Sequence, residues 1–249
     1  MFVAASTQCY PELTPEEVTE RLVDLQFTAV ELALHERDGW LAPSEVLEDL
    51  DKATHQCRQT HRLDIAALSL EIEAEGEAFY DTFTACAKLA KALKVATLVI
   101  PSSELGTPFN EEIERLQKMV AIAEYEGCVA ALKTQIGRMS QDPDNATVFC
   151  DHVKGLRLTL DPSAFIAGPH QGKSFDKVLP YVQHVHLRDT SKEHFQVRVG
   201  QGEVDYGKLI QQLAALKYNR ALSVHMPPIE GFDHNSEMRK VRLLLESLL

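Results

Sequence analysis

Four chemically reactive side chains stand at or beside the ends of four consecutive apolar runs in the second half of the chain. They are, in chain order, Lys133, Asp161, His186 and His225. Charged groups are rarely buried without partners, so their position at successive runs favours a functional site over a packed core. Carboxylate and imidazole groups can hold a divalent cation, and lysine and histidine can move protons next to a carbonyl group.

Eight short apolar runs alternate with amphipathic stretches, and this alternation predicts the elements that position those side chains. The runs predicted as strands are residues 2–6, 29–34, 64–69, 97–100, 129–132, 156–161, 182–187 and 221–224. The stretches between them have helical periodicity, and several open on a start signal such as the capping box of residues 14–17. Alternating strands and helices form parallel sheets, and eight units in about 250 residues are typical of a closed (β/α)8 TIM barrel. The first turn lacks the glycine-rich motif of an open doubly wound sheet, so we predict one barrel domain over residues 1–249.

Other polar residues of the predicted strands are expected to be structural. Glu31 is expected inside the barrel with a neighbouring partner. His184 lies two residues before His186 and faces the same side of its strand, where a hydrogen-bonded core histidine is expected. Asp189 is expected to orient a neighbouring loop, and His35 is expected to lie in a solvated loop.

Composition and charge exclude several classes of protein. The 249 residues carry 25 basic and 37 acidic side chains, a formal net charge of −12, which would repel a nucleic acid in the absence of a basic patch. The five cysteines include no C-x-x-C pair, which argues against a disulfide scaffold or a cysteine-based zinc site. The sequence shows neither a signal peptide nor a membrane-spanning run. We therefore expect a cytoplasmic protein that binds neither nucleic acid nor membrane.

Four segments of the second half resemble a known family. They are residues 132–139 (LKTQIGRM), 160–165 (LDPSAF), 184–189 (HVHLRD) and 200–206 (GQGEVDY). In their order and their positions on strands 5 to 8 they are similar to the xylose-isomerase-like TIM barrels. That family includes sugar-phosphate isomerases, ketose 3-epimerases and endonuclease IV.

The resemblance implies a candidate metal site with two departures. Isomerases and epimerases of the family hold one divalent cation with Glu, Asp, His and Glu from strands 5 to 8, and the two glutamates also move protons. The corresponding positions here are Lys133, Asp161, His186 and His225, so only the Asp and the His match. An ammonium group at the first position would repel a dication such as Mg²⁺ or Mn²⁺ in a poorly solvated pocket, so we expect the four-ligand site to be absent.

The resemblance also implies substrate-binding positions. Gln135 stands where the family tends to have a histidine, and Arg198 corresponds to a loop arginine of the family that could contact an anion or a polyol. We also assign Glu71, which follows the third strand, to substrate binding. The expected ligand is a small sugar-like or phosphorylated compound, and homo-oligomers are common in the resembling family.

Two alternatives remain open for the chemistry of the site. Asp161, His186 and His225 form a two-histidine, one-carboxylate set that suits Fe²⁺, Zn²⁺ or Mn²⁺, with Lys133 as a base beside the metal. Alternatively, Lys133 could be a metal-free Schiff-base nucleophile. We rank that option last, because a lysine paired with Asp161 would stay protonated.

The leading prediction is a sugar (phosphate) isomerase/epimerase-like protein of carbohydrate metabolism that acts on or binds a small polyhydroxy carbonyl compound. The catalytic groups would be Lys133 and His225, in place of the glutamates of the family. A non-catalytic barrel that binds a ligand or a partner is the alternative from another class. A nuclease of the endonuclease IV branch would need a larger ligand cluster and a basic face, neither of which the sequence shows.

Overall fold

Eight parallel strands close into a barrel in chain order, as the alternation of the sequence predicts. The computed structural model describes residues 1–249, and β1 pairs with both β2 and β8 to complete the ring. The strands are β1 (Phe2–Ser6), β2 (Ala29–His35), β3 (Asp64–Glu71), β4 (Thr97–Pro101), β5 (Val129–Lys133), β6 (Arg157–Leu160), β7 (Val182–Leu187) and β8 (Ala221–Val224). The (β/α)8 prediction is confirmed.

Nine α-helices connect and follow the strands. They are α1 (Pro15–Asp24), α2 (Pro43–Glu48), α3 (Leu50–Cys57), α4 (Gly76–Leu93), α5 (Phe109–Tyr125), α6 (Pro143–His152), α7 (Ser163–Ile166), α8 (Tyr206–Ala215) and α9 (His234–Glu246). The predicted capping box is present at α1, where Thr14 and Glu17 satisfy each other's backbone N–H groups. None of these helices is both long and apolar enough to cross a membrane.

The connection between β6 and β7 departs from the regular pattern. It contains only the four-residue helix α7 and a 3-10 helix over Asp176–Tyr181. The sequence between them, residues 167–174, is rich in glycine and polar residues and lacks apolar residues at helical spacing. At Gly168 a Cβ atom would lie 2.0 Å from the carbonyl oxygen of Ala164, so a side chain there would collide with the end of α7.

Several strand ends differ from the predicted bounds in a way that matters for the site. β2 runs to His35 and β3 to Glu71, and these two residues are register partners. β6 ends at Leu160, so Asp161 lies just beyond its strand. The strands are largely buried, and all seven residues of β2 are inaccessible, as expected where helices cover a parallel barrel. The carboxyl ends of the strands therefore project from a rigid core.

Candidate active site

A cavity at the carboxyl ends of β5 to β8 brings several predicted site residues together. Lys133 is the last residue of β5, Asp161 follows β6, and His225 follows β8. The cavity has a volume of about 400 Å³, and its lining consists of Lys133, Thr134, Gln135, Ile136, Asp161, Arg188, Phe195 and His225. A cavity at this face of a (β/α)8 barrel is the default position for an active site.

Arg188 occupies the centre of this group. Its Nη2 atom donates to Oδ2 of Asp161 at 3.0 Å and to Nδ1 of His225 at 2.9 Å. The guanidinium carbon lies 4.5 Å from the centroid of the Phe195 ring, and the side chain is buried. Sequence reasoning does not single out Arg188, although the two-residue period of β7 places it on the same side as His184 and His186. That period was the available signal.

The contact with Arg188 fixes the protonation of His225. A guanidinium group has only donors, so Nδ1 of His225 must be the acceptor and the proton of the neutral ring lies on Nε2. Burial of the ring and the nearby positive charge of Lys133 hold the pKa of His225 well below its usual value. Although the residue as a whole is partly exposed, its Nε2 atom is buried and has no protein partner. His225 therefore presents an unused N–H donor.

The amine of Lys133 has no partner in the protein. The expected contact between Lys133 and Asp161 is not formed, because Arg188 binds the carboxylate instead. The hydrogen bonds of Lys133 beyond the strand ladder involve its backbone, whose oxygen accepts from the hydroxyl of Ser140 at 2.6 Å. Burial lowers the pKa of Lys133, and the positive charge of Arg188 lowers it further. Lys133 is thus an amine whose charge is not held by a salt bridge.

A buried carboxylate and two histidines support the site from within the barrel. Nε2 of His184 and Nε2 of His186 lie 2.5 and 2.8 Å from Oε2 of Glu31, and all three side chains are inaccessible. Burial raises the pKa of Glu31, but its interactions with His186 and His184 more than offset this and hold the pKa well below its usual range. The expectations that Glu31 lies inside the barrel with a neighbouring partner and that His184 is a hydrogen-bonded core histidine are confirmed.

His186 connects this network to the cavity. Its Nε2–H donates to Glu31, its Nδ1 atom has no partner, and its ring stacks on that of His225 at 4.6 Å with an interplanar angle of 24°. Burial lowers the pKa of His186, so the ring is neutral and Nδ1 keeps its lone pair. Glu31 thereby fixes the orientation of His186, as a carboxylate commonly does for a functional histidine.

The residues at the position of the family's metal do not fit a divalent cation as they are arranged. Asp161 accepts from Arg188 with one carboxylate oxygen and from the N–H of Ser163, at 3.0 Å, with the other. His225 uses its Nδ1 lone pair on Arg188 and carries its proton on Nε2. Of the two imidazole rings, only that of His186 keeps a free lone pair, on Nδ1. A cation would also meet the charges of Lys133 and Arg188.

The group Glu31, His184 and His186 is also close enough together to be considered as a ligand set. Both histidines, however, direct an N–H group at the same carboxylate oxygen, so neither offers a lone pair toward a common point. This arrangement describes a hydrogen-bonded core network rather than a metal site.

The assigned substrate residues lie in three different places. Gln135 lines the cavity, and its buried Oε1 atom has no partner. Glu71 lines a second cavity of about 450 Å³ together with His35. Arg198 lies outside both cavities, where it pairs with Glu237 at 3.3 Å and packs over the Phe232 ring at 4.7 Å. The expectation that His35 is solvated is wrong, because the extension of β2 buries it.

Asp189 holds the loop that follows β7. Its Oδ2 atom accepts from the backbone N–H groups of Gly200 at 2.7 Å and Gly202 at 3.1 Å. A Cβ atom on Gly202 would lie 2.0 Å from Oδ1 of Asp189, so only glycine allows this approach. The expectation that Asp189 orients a loop is confirmed.

The barrel and the cavity at its carboxyl face define a protein of the TIM-barrel class with an active-site-like opening. Residues 19–245 match the sequence pattern of the family described as xylose isomerase-like TIM barrel. The chain belongs to that family, as the resemblance of strands 5 to 8 implies. A comparison of the sequence with curated proteins finds no significant match.

Solved structures of the same fold cover almost the whole chain. The probable 3-DHS dehydratase AsbF of Bacillus anthracis superposes with a TM-score of 0.74 at 14% identity, covering 99% of each chain. The 3-keto-D-glucoside 4-epimerase YcjR of E. coli gives 0.74 at 13% identity, again covering 99% of each chain. A xylose isomerase-like TIM barrel protein of Mycobacterium smegmatis in complex with magnesium gives 0.73 at 17% identity, covering 99% of this chain and 97% of the other. Identities at this level show the shared fold.

Proposed function

We propose that the protein acts on a small polyhydroxy carbonyl compound as a sugar isomerase or epimerase with a remodelled metal site. One observation carries the proposal: Lys133, whose amine is unpaired, and His225, whose Nε2–H has no protein partner, line the same cavity. An unpaired amine and a neutral imidazole are suitable groups for proton transfer next to a carbonyl. The structural similarity to the 3-keto-D-glucoside 4-epimerase of E. coli supports the same class of chemistry.

The two groups have different roles in this proposal. His225 donates its Nε2–H to the carbonyl oxygen of the substrate and stabilises the charge that develops there, because its protonation is fixed by Arg188. Lys133 exchanges the proton, because its amine is not held by a carboxylate. Arg188 positions His225 and supplies a fixed positive charge beside the residues that correspond to the metal ligands of the family.

The charge of the cavity supports a ligand with oxygen-rich or phosphorylated groups. Lys133 and Arg188 contribute two positive charges and Asp161 one negative charge, so the lining is formally positive in a chain whose net charge is −12. Gln135 adds an unpartnered amide oxygen that can accept from a sugar hydroxyl. Hydroxyl and phosphate groups satisfy such a lining.

Exchange of substrate protons with solvent tests the proposal. The metal-depleted protein would be incubated in D2O with D-fructose, D-psicose, D-xylulose and their phosphates, and deuterium at the carbons beside the carbonyl would be followed by NMR. We expect incorporation with at least one sugar and a loss of at least 100-fold in Lys133→Gln, on the scale of a general acid–base contribution. Undiminished exchange in Lys133→Gln would contradict the assignment of Lys133.

A non-catalytic barrel that binds a ligand is the second candidate. The Arg188–Asp161 ion pair favours it, because the carboxylate is already bound by Arg188 and is not free to act as a base. The same panel separates the two functions. Sugar binding in calorimetry without any deuterium incorporation would identify a receptor.

The proposal extends to the setting of the protein. We propose that residues 1–249 act as one domain in the cytoplasm, where thiols stay reduced, and in carbohydrate metabolism. The five cysteines are unpaired and buried, which supports a reducing compartment. We further propose that the protein assembles with copies of itself and does not bind nucleic acid.

A further inference from the structure

We infer that Lys133 attacks the carbonyl carbon of the substrate and forms an imine with it. The inference rests on the proposed function and deepens it: the amine is a covalent nucleophile at the same site, and Lys133 promotes proton exchange through the imine in place of transferring the proton itself. It also assigns a substrate class: aldehydes and ketones in open-chain form, since the ring form of a sugar offers no carbonyl carbon to the amine.

The first observation is the position of the amine. Lys133 is the only lysine in the lining of the cavity, it ends β5 on the carboxyl face, and its Nζ atom forms neither a salt bridge nor a hydrogen bond with the protein. Other lysines of the chain, such as Lys173, are held by carboxylates at the surface. An amine that forms an imine must be free to approach a carbonyl carbon, and Lys133 meets this condition.

The second observation removes the main objection to such a lysine. A carboxylate beside the amine would keep it as a bound ammonium group. Here Asp161 forms its salt bridge with Arg188 through Oδ2 and accepts from the N–H of Ser163 through Oδ1, and it has no contact with the amine of Lys133. The nearest carboxylate of the cavity is thus occupied by another cation.

The third observation is a hydrogen-bond donor on a residue of the same lining. His225 lines the cavity, and its Nε2–H group has no protein partner. A donor at this place can bind the carbonyl oxygen during attack and the hydroxyl group of the intermediate afterwards. The cavity therefore provides a nucleophile and an oxygen-binding group for one carbonyl.

The covalent step is a condensation. The lone pair of the neutral amine forms the C–N bond while the C=O π electrons move to oxygen, which takes up a proton and gives a carbinolamine. After a second protonation the C–O bond breaks and the oxygen leaves as water, while the nitrogen lone pair forms the second bond of C=N. Nitrogen loses the protons that oxygen gains, so the sum is amine plus carbonyl giving imine plus water.

The imine supplies what an isomerase needs from its electrophile. Removal of a proton beside a carbonyl leaves an electron pair that must be stabilised, and a divalent cation on the oxygen is one solution. A protonated imine accepts the same electron pair through its nitrogen. The side chains at the metal position, which do not fit a cation, are consistent with this second solution.

Reductive trapping tests the inference. The protein would be incubated with glycolaldehyde or dihydroxyacetone at low concentration in the presence of sodium cyanoborohydride, which reduces an imine to a stable secondary amine. Intact mass and peptide mapping would locate the product. We expect the peptide containing Lys133 to be modified at least ten times faster than those containing the exposed Lys88 and Lys154. Lys133→Gln should remove the fast modification and keep the slow background.

The outcomes of trapping and of deuterium exchange are separable. Modification of Lys133 at or below the rate of the exposed lysines overturns the inference, even if deuterium exchange supports an isomerase. Fast modification of Lys133 without deuterium exchange supports the imine and overturns only the proposed proton transfer. Far-UV circular dichroism and the unfolding temperature of Lys133→Gln verify that the variant is folded.

Discussion

Arg188 lies 3.0 Å from the carboxylate of Asp161, and this ion pair joins the end of β7 to the residue that follows β6. Both side chains are almost inaccessible, so neither charge is solvated by bulk water and each depends on the other as its partner. The same guanidinium nitrogen also binds His225, which follows β8. One side chain thus fixes the relative positions of three neighbouring strand ends.

Arg188→Met should destabilise the protein strongly. The substitution leaves the charge of Asp161 buried without its partner, which typically costs about 3–5 kcal/mol. Urea unfolding followed by circular dichroism measures the effect. Arg198→Met is the matched control, because Glu237 keeps its contacts with Lys240 and the N–H of Val199. This variant should lose less than about 1 kcal/mol of unfolding free energy. Equal losses in the two variants would contradict the importance of the buried pair.

Removing the positive side chains should create a divalent-metal site. In Lys133→Glu combined with Arg188→Met, Asp161 and His225 regain free lone pairs beside Nδ1 of His186, and a second carboxylate is added. Calorimetry with Mn²⁺ should show one bound ion in this double variant and none in the native protein or in Lys133→Glu alone. Tight binding of Mn²⁺ by the native protein, lost in Asp161→Asn, would show that Arg188 moves aside for a metal.

The pH dependence of stability should reveal the neutral state of His225. Its folded-state pKa is depressed, so below the unfolded value of about 6.5 the unfolded chain binds a proton that the folded chain does not. The contribution of neutral His225 to the unfolding free energy is therefore fully present above that pH and is lost as the pH decreases. Asn is the suitable replacement, because its side-chain oxygen can accept from Arg188. Urea unfolding measured at several pH values between 7.5 and 5.5 gives the dependence of the unfolding free energy on pH. In His225→Asn this dependence should be weaker than in the native protein by up to about 1.4 kcal/mol per pH unit.

His225→Asn should also separate structure from catalysis. The variant keeps an acceptor for Arg188 but lacks the Nε2–H group that has no protein partner. We expect near-native stability at pH 7.5 together with a loss of about 100-fold or more in the deuterium exchange of the best sugar. Retention of exchange would exclude His225 from the binding of the carbonyl oxygen.

Glu31→Leu should weaken the barrel interior more than Glu31→Gln. Leucine leaves the N–H groups of His184 and His186 buried without an acceptor, at about 1–3 kcal/mol for each. Glutamine retains an oxygen acceptor, so part of the loss should be restored. Thermal unfolding of the two variants beside the native protein measures the difference, and equal unfolding temperatures would argue against the hydrogen bonds seen here.

The bounds of several strands were predictable because they depend on the local sequence pattern. β1, β7 and β8 match their predicted bounds residue for residue. The convergence of Lys133, Asp161 and His225 followed from the geometry of parallel strands in a barrel. The prediction that Lys133 pairs with Asp161 was wrong. Two cations lie near this carboxylate, and the sequence does not give the distances that determine which of them binds it. Arg188 reaches it from β7, whereas Lys133 at the end of β5 does not.

The positive charge held between Asp161 and His225 is a covalent part of the polypeptide. Its occupancy is set when the chain folds, at one equivalent per molecule, and does not vary with the concentration of free ions in the surroundings. It cannot be exchanged for a competing metal or removed by a chelator. It can be removed from the molecule only by mutation, so this part of the barrel's electrostatics is determined by the sequence and not by the ions in the medium.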